Sequence, residues 1–200
     1  MKIVIPPALK HRQFALLWFG QALSVIGSQM QVWAIFWHID QITQKPLALG
    51  MVGAARVVPI VLFSIYGGAI ADLLDRRKLL FITQTSEAGL AMLLFWLTIS
   101  GRIELWHIYL ITALQAVAFS FDLPARQAMV PNLVPRSLLP NALSMSAIAF
   151  QLGAILGPAM SGLVIAGFGI GYTYLINALS FGSVIVALML IGPVAQDSSV

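Results

Sequence analysis

The sequence predicts an all-α membrane protein with six transmembrane helices. Of its 200 residues, 60% are hydrophobic and 9% are charged, whereas a soluble domain typically has about 45–50% apolar and about 25% charged residues. The chain also divides into six apolar stretches with short connections, each near the ~20 residues that a helix needs to cross a bilayer. Cysteine is absent, which excludes disulfides and thiolate metal sites.

The spans follow one another closely along the chain. The first four are predicted at about 14–37, 47–71, 79–99 and 105–121. The region 137–196 contains no charge and is too long for one span, so the glycines at 167, 169 and 171 are expected to divide it into a fifth and a sixth helix. The predicted organisation is a cytoplasmic tail (1–13), a six-helix bundle (14–194) and the start of a cytoplasmic linker (195–200).

Basic residues concentrate on one side of the predicted bundle. One side has eight: Lys2, Lys10, Arg12, Arg76, Arg77, Lys78, Arg126 and Arg136. The other side has Lys45 and Arg102. This imbalance predicts that both termini are cytoplasmic. The net charge of +4 is therefore interpreted as an orientation signal, and no nucleic-acid partner is expected.

The first span has polar residues at helical spacing, which places them on one face. They are Gln21, Ser24, Ser28 and Gln31. Because polar groups in hydrocarbon are costly without partners, this face is expected to line a hydrated cavity. Hydrogen bonding that only holds the helices together is the alternative.

Arg56 and Glu87 are the two charges well inside predicted spans. Counted along their helices, their depths differ by roughly 10 Å at about 1.5 Å per residue, so no direct ion pair is expected. Glu87 could serve as a protonatable coupling group, neutral when buried and charged when wet, or as a structural carboxyl. Arg56 could bind helix carbonyls or substrate.

The link between the second and third spans has the pattern Gly68-x3-Asp72-x2-Asp75-Arg76-Arg77. Asp72 follows a helix C-terminus and the arginines begin a helix, so both are placed against the helix dipoles. Asp72 is therefore expected to have a partner, either Arg76 or the N-terminus of another helix. The glycines before it would let that helix approach closely.

This link resembles the signature loop of the major facilitator superfamily. Leu73 replaces the usual basic residue, and Asp75 replaces the usual glycine, a substitution familiar in exporters similar to the enterobactin exporter, described as transmembrane secretion effectors. The resemblance implies that the loop, through Asp72, Arg76 and Arg77 above all, gates the cytoplasmic side by bridging to a C-terminal half.

A second pattern lies in the fifth span, Gly153-x3-Gly157-Pro158-x3-Gly162. Its small residues permit close helix packing, and the proline kinks the helix. The pattern is similar to a motif typical of exporters in the superfamily. Phe19-Gly-Gln21 and Asp122-x-Pro-Ala-Arg126-Gln127 also resemble this branch, and Asp122 is expected to anchor a loop after the fourth span. The arginine that many proton-coupled relatives have in that span is absent, since Thr112 and Ala116 stand there.

The sequence therefore predicts half of a secondary transporter, built as a three-plus-three inverted repeat, that exports amphiphilic drugs or siderophores by proton antiport. Its expected partners are the small-molecule substrate, protons, membrane lipids and a second six-helix half. No phosphate-binding loop, cofactor motif or catalytic constellation is present, so an ion gradient is the expected energy source and no enzyme activity is expected. The alternatives are a truncated or split half-transporter, inactive without a second half, and a half that pairs with itself.

Overall fold

The computed structural model describes residues 6–191, except for the side chains of residues 69–73. Within that part the chain forms six long helices and no strand: α1 (Arg12–Thr43), α2 (Pro46–Leu73), α3 (Arg76–Ile99), α4 (Leu105–Met129), α5 (Leu139–Phe168) and α6 (Ile170–Ile191). The predicted all-α fold with six helices is confirmed. The first five residues of the predicted tail and the predicted linker from 195 lie outside the described residues.

The predicted break between the fifth and sixth helices is confirmed at a single residue. Gly169 has a φ of 94°, a left-handed conformation that glycine adopts without a Cβ penalty. Its N–H donates to the carbonyls of Val164 and Ile165, 3.2 and 3.1 Å away. The turn thus satisfies backbone groups at the end of α5 before α6 begins.

The predicted end of the fourth helix is wrong. Pro124 lies inside α4, which continues to Met129, so Asp122 is a helical residue and does not anchor a loop after the span. A proline removes one backbone hydrogen bond, and membrane helices tolerate this where neighbouring groups compensate. Here Asp122 and Arg126 form an ion pair four residues apart, which stabilises that turn.

Helices α2 to α6 are each long and apolar enough to cross a membrane. Helix α1 is longer still, with 32 residues, or about 48 Å at about 1.5 Å per residue. Its polar face lowers its mean hydropathy, so composition alone does not identify α1 as a membrane span. It packs along α5 and α6 inside the bundle.

The helix packing has the symmetry of a three-plus-three repeat. Helix α1 packs on α5 and α6, and α4 packs in the same way on α2 and α3, while α3 and α6 pack on each other. Each of these pairs maps onto another when every helix is exchanged for the one three places away. Because successive helices reverse direction, the two sets of three have opposite orientations, which confirms the inverted repeat.

Glycines set the closest helix contacts. A Cβ on Gly153 would lie 2.6 Å from Val25 Cγ1, one on Gly157 would overlap Gln29 Cβ, and one on Gly67 would overlap the Ser120 carbonyl oxygen. By contrast, a Cβ on Gly68 or Gly162 would meet nothing within 4 Å. The expected close approach therefore holds for Gly67 against α4, and for Gly153 and Gly157 against α1, but not for Gly68.

We expect Gly157→Ala to lower the stability of the bundle by about 1–3 kcal/mol, because the added methyl group has no room between α5 and α1. Gly162→Ala is the matched control, since its methyl group faces open space and alanine favours a helix by up to about 1 kcal/mol. Thermal unfolding of the purified chain in detergent measures both. Equal midpoints for the two variants would contradict the assigned contact.

Candidate functional site

A cavity of about 340 Å³ opens between the helices. All six residues predicted to lie on a cavity or to couple ion movement line it: Gln21, Ser24, Ser28, Gln31, Arg56 and Glu87. They come from α1, α2 and α3, and α4 contributes a further wall. The cavity also has apolar surface, so one chamber presents both polar and hydrophobic groups.

The polar face of α1 both lines the cavity and ties helices together. Gln31 donates from Nε2 to Gln115 Oε1 on α4 at 2.7 Å and accepts on Oε1 from Asn177 Nδ2 on α6 at 2.8 Å. Ser28 donates to Asn177 Oδ1 at 3.4 Å. This face therefore lines the cavity and also joins α1 to α4 and α6, and its contact with water stays a prediction. Sequence analysis missed Asn177, although an amide in an otherwise apolar span signals an interior partner.

Arg56 and Glu87 face the same cavity without forming an ion pair, as their depths predicted. Among the described side chains, the one ion pair joins Asp122 to Arg126. Glu87 lies one helical turn beyond Gln84, and its side chain makes no hydrogen bond within the described chain. Its carboxyl group is thus available to the cavity.

Asp122 is the centre of a buried polar cluster, which we call the Asp122 cluster, formed with Thr83, Gln84 and Arg126. Oδ1 of Asp122 accepts from Thr83 Oγ1 at 3.0 Å and from Gln84 Nε2 at 2.6 Å. Oδ2 accepts from Arg126 Nε at 3.0 Å and from Nη2 at 2.5 Å. Because Asp122 is 2% exposed, these four bonds offset the loss of its hydration. The two bonds from Thr83 and Gln84 also join α3 to α4.

Three atoms on the cavity wall offer further polar contacts. Arg126 Nη1, Gln84 Oε1 and Thr112 Oγ1 are buried and make no hydrogen bond within the described chain, and all three residues line the cavity. The guanidinium nitrogen is a donor, the amide oxygen an acceptor and the hydroxyl group either one.

The described part of the loop between α2 and α3 explains how its arginines are tolerated at a helix N-terminus. Oδ1 of Asp75 accepts from the backbone N–H groups of Arg77 and Lys78 at 2.9 and 3.1 Å, so it caps α3. Arg76 Nη1 donates to the Ala128 carbonyl at 2.8 Å, and Arg77 Nε donates to the Leu188 carbonyl at 2.9 Å. Both carbonyls lie near the C-terminal ends of α4 and α6, where cations are favoured. The Asp72 side chain lies outside the described residues.

Among the described residues, no group of three or more His, Asp or Glu side chains is placed to hold a metal ion.

Comparison with known proteins gives one family. The model of the transmembrane secretion effector family matches residues 5–200. The staphyloferrin A transporter of Staphylococcus aureus is 29% identical over 83% of this chain and 40% of its own length. Macrolide efflux protein A of Streptococcus pyogenes is 24% identical over 76% of this chain and 38% of its own length. The enterobactin exporter of Shigella boydii is 24% identical over 82% of this chain and 39% of its own length. The chain thus spans about two fifths of the length of these curated relatives.

We expect Asp122→Asn to destabilise the chain by about 3–5 kcal/mol, because it leaves the Arg126 charge buried without its partner. The double variant Asp122→Asn with Arg126→Gln removes both charges and should recover much of the loss. Equilibrium unfolding in mixed detergent measures each free energy. Arg136→Gln, which removes an exposed charge near the start of α5, controls for net charge. A double variant no more stable than the single one would contradict the assigned pair.

Proposed function

Because the chain belongs to the transmembrane secretion effector family of major facilitator superfamily transporters, we propose that it forms the N-terminal half of a secondary exporter of amphiphilic small molecules. The observation that supports this most directly is the cavity, where an amide and hydroxyl face on α1 lies opposite the Asp122 cluster. Its volume of about 340 Å³ falls within the ~300–1,000 Å³ of ligand pockets.

The proposed cargo is a drug or a siderophore. The relatives are named for staphyloferrin A, a macrolide and enterobactin, and the cavity has both apolar and polar walls. On the apolar side, Phe119, Phe150 and Phe181 line the chamber and offer broad hydrophobic contact. On the polar side, Gln21, Ser24 and Ser28 line the same chamber and have both donors and acceptors.

A second six-helix half is proposed to close the cavity. Helices α2 and α5 are the least buried of the five apolar spans, and large apolar side chains such as Val61, Ile65, Ile155 and Leu163 are exposed on them. Both helices line the cavity, α2 through Arg56 and Ile60 and α5 through Phe150, so a partner half that packs on both could complete the chamber. That half could follow in the same gene, be a separate chain or be a second copy of this one. The alternative is a truncated or split half-transporter that is inactive alone.

Glu87 is proposed as the proton-coupling carboxyl group. Asp122 is occupied by four hydrogen bonds, whereas Glu87 lines the cavity without one in the described chain. A carboxyl group that is wet in one state and dry in another binds and releases a proton between them. The basic end of the bundle, with Arg76 and Arg77, is proposed to be cytoplasmic in a bacterial plasma membrane.

We expect Glu87→Gln to abolish cargo movement driven by a proton gradient while leaving cargo binding within a fewfold, because the amide cannot exchange a proton but retains the shape of the side chain. The gene is expressed in its own genomic context, so that any second half is present. Uptake of a lipophilic fluorescent dye and proton release are then measured in everted vesicles.

Asp40→Asn is the matched control for this experiment, since that carboxylate is exposed near the C-terminal end of α1. It should transport like the original chain. Full gradient-driven uptake by Glu87→Gln would exclude the coupling role. Uptake that needs ATP and ignores the gradient would exclude secondary transport itself.

We expect Asp72→Asn to lower energised dye efflux at least tenfold, because it removes the charge that the family resemblance assigns to the cytoplasmic gate. Binding of dye to the purified protein should persist, since the two described loop residues, Leu74 and Asp75, do not line the cavity. Efflux from whole cells and dye binding in detergent separate the two effects. Unchanged efflux would mean that Asp72 has no part in a gate.

A further inference from the structure

A second depression in the molecule has a different chemistry from the cavity. It is a groove of about 650 Å³ on the outer face of α3 and α4. Its walls are almost wholly apolar, and its small residues, Ser86, Gly89 and Ala118, form a shallow floor. Leu79, Ile82, Thr83, Leu90, Leu114, Val117 and Phe121 line the rest.

The groove and the cavity lie on opposite faces of α4. Thr112, Gln115 and Phe119 face the cavity, whereas Leu114, Val117 and Phe121 face the groove. At about 3.6 residues per turn these two sets project in nearly opposite directions. A second half that closes the cavity would therefore leave the groove uncovered, and its surroundings would be lipid.

The length of the groove corresponds to one leaflet. From Leu79 to Leu90, helix α3 rises about 16 Å at about 1.5 Å per residue, which is about half of the ~30 Å hydrocarbon core. Gly89 has no side chain, and a Cβ there would meet nothing within 4 Å. A linear acyl chain therefore has room to lie along α3 without displacing protein atoms.

The basic end of the groove has a cation. Lys78 is exposed and lies one helical turn before Ile82, on the same flank of α3. Lysine side chains at the ends of spans extend to the headgroup layer, where a basic residue contributes about 1 kcal/mol of attraction to anionic lipid. The groove thus offers an apolar channel for a tail and a positive charge for a phosphate.

We propose that this groove binds one anionic phospholipid, with an acyl chain between α3 and α4 and its phosphate at Lys78. Because Thr83 lines the groove and donates to Asp122, the bound tail packs directly behind the Asp122 cluster. The lipid therefore supports the wall that separates the bilayer from the cavity. This site is independent of the cargo and of the coupling ion.

The test uses the purified full chain, stripped of lipid and titrated with phosphatidylglycerol or phosphatidylcholine that have the same acyl chains. Native mass spectrometry counts the lipids bound to each chain. We expect one phosphatidylglycerol to bind about fivefold more tightly than phosphatidylcholine, and Lys78→Gln to remove that preference. Gly89→Leu, which fills the groove, should weaken both lipids at least tenfold. Ser86→Leu is a second filling variant at an exposed position.

Two matched controls keep the outcome decisive. Gly182→Leu adds the same side chain on α6, where a Cβ also meets nothing within 4 Å, and Arg136→Gln removes another exposed charge; both should bind lipid like the original chain. Equal binding of the two lipids would overturn the proposal. Loss of lipid binding in the control variants would also overturn it. So would a result in which Lys78→Gln weakens binding but neither filling variant does, because this would indicate attraction to the surface without an acyl chain in the groove.

Discussion

The exclusion of water from the hydrocarbon core is the constraint on which the rest of the structure depends. A buried polar group there has no partner except another part of the chain, or a ligand. The polar residues of the spans accordingly converge: Gln31 joins α1 to α4 and α6 through Gln115 and Asn177, and Asp122 joins α3 to α4. The same bonds that hold the helices together also define the walls of the cavity.

The same constraint applies to backbone groups, as Pro124 on α4 and Gly67 on α2 illustrate. Pro124 cannot donate to the carbonyl four residues before it, which is that of Ser120. Gly67 of α2 lies directly against this carbonyl oxygen, where a Cβ would not fit. This close contact between α2 and α4 therefore occurs at a carbonyl oxygen that lacks its helical N–H donor. The Cα–H group of Gly67 is a weak donor that can approach this oxygen. Pro124 frees this carbonyl oxygen and Gly67 allows α2 to reach it, although the two residues are 57 positions apart in the chain.

Much of the fold could be predicted from the sequence because its signals are local. Span lengths follow from uncharged runs, and the α5–α6 break follows from glycines around Gly169. The polar face of α1 was visible from spacing alone. The end of α4 was not, because a proline and two charges resemble a loop until it is known that Asp122 and Arg126 bind each other. Partners such as Asn177 depend on how distant helices meet, which one sequence does not encode locally.

The arginines of α3 connect the two repeats at the basic end. Arg76 and Arg77 belong to the first three helices, but their carbonyl partners lie on α4 and α6, in the second three. The Asp122 cluster and the contact between α3 and α6 join the same two sets deeper in the bundle. A relative movement of the repeats would break the hydrogen bonds that Thr83 and Gln84 donate to Asp122, and would leave that buried carboxylate without these partners. The six helices should therefore move as one rigid body. In the proposed exporter, alternating access would then require this body to rock against a second half packed on the open side of the cavity.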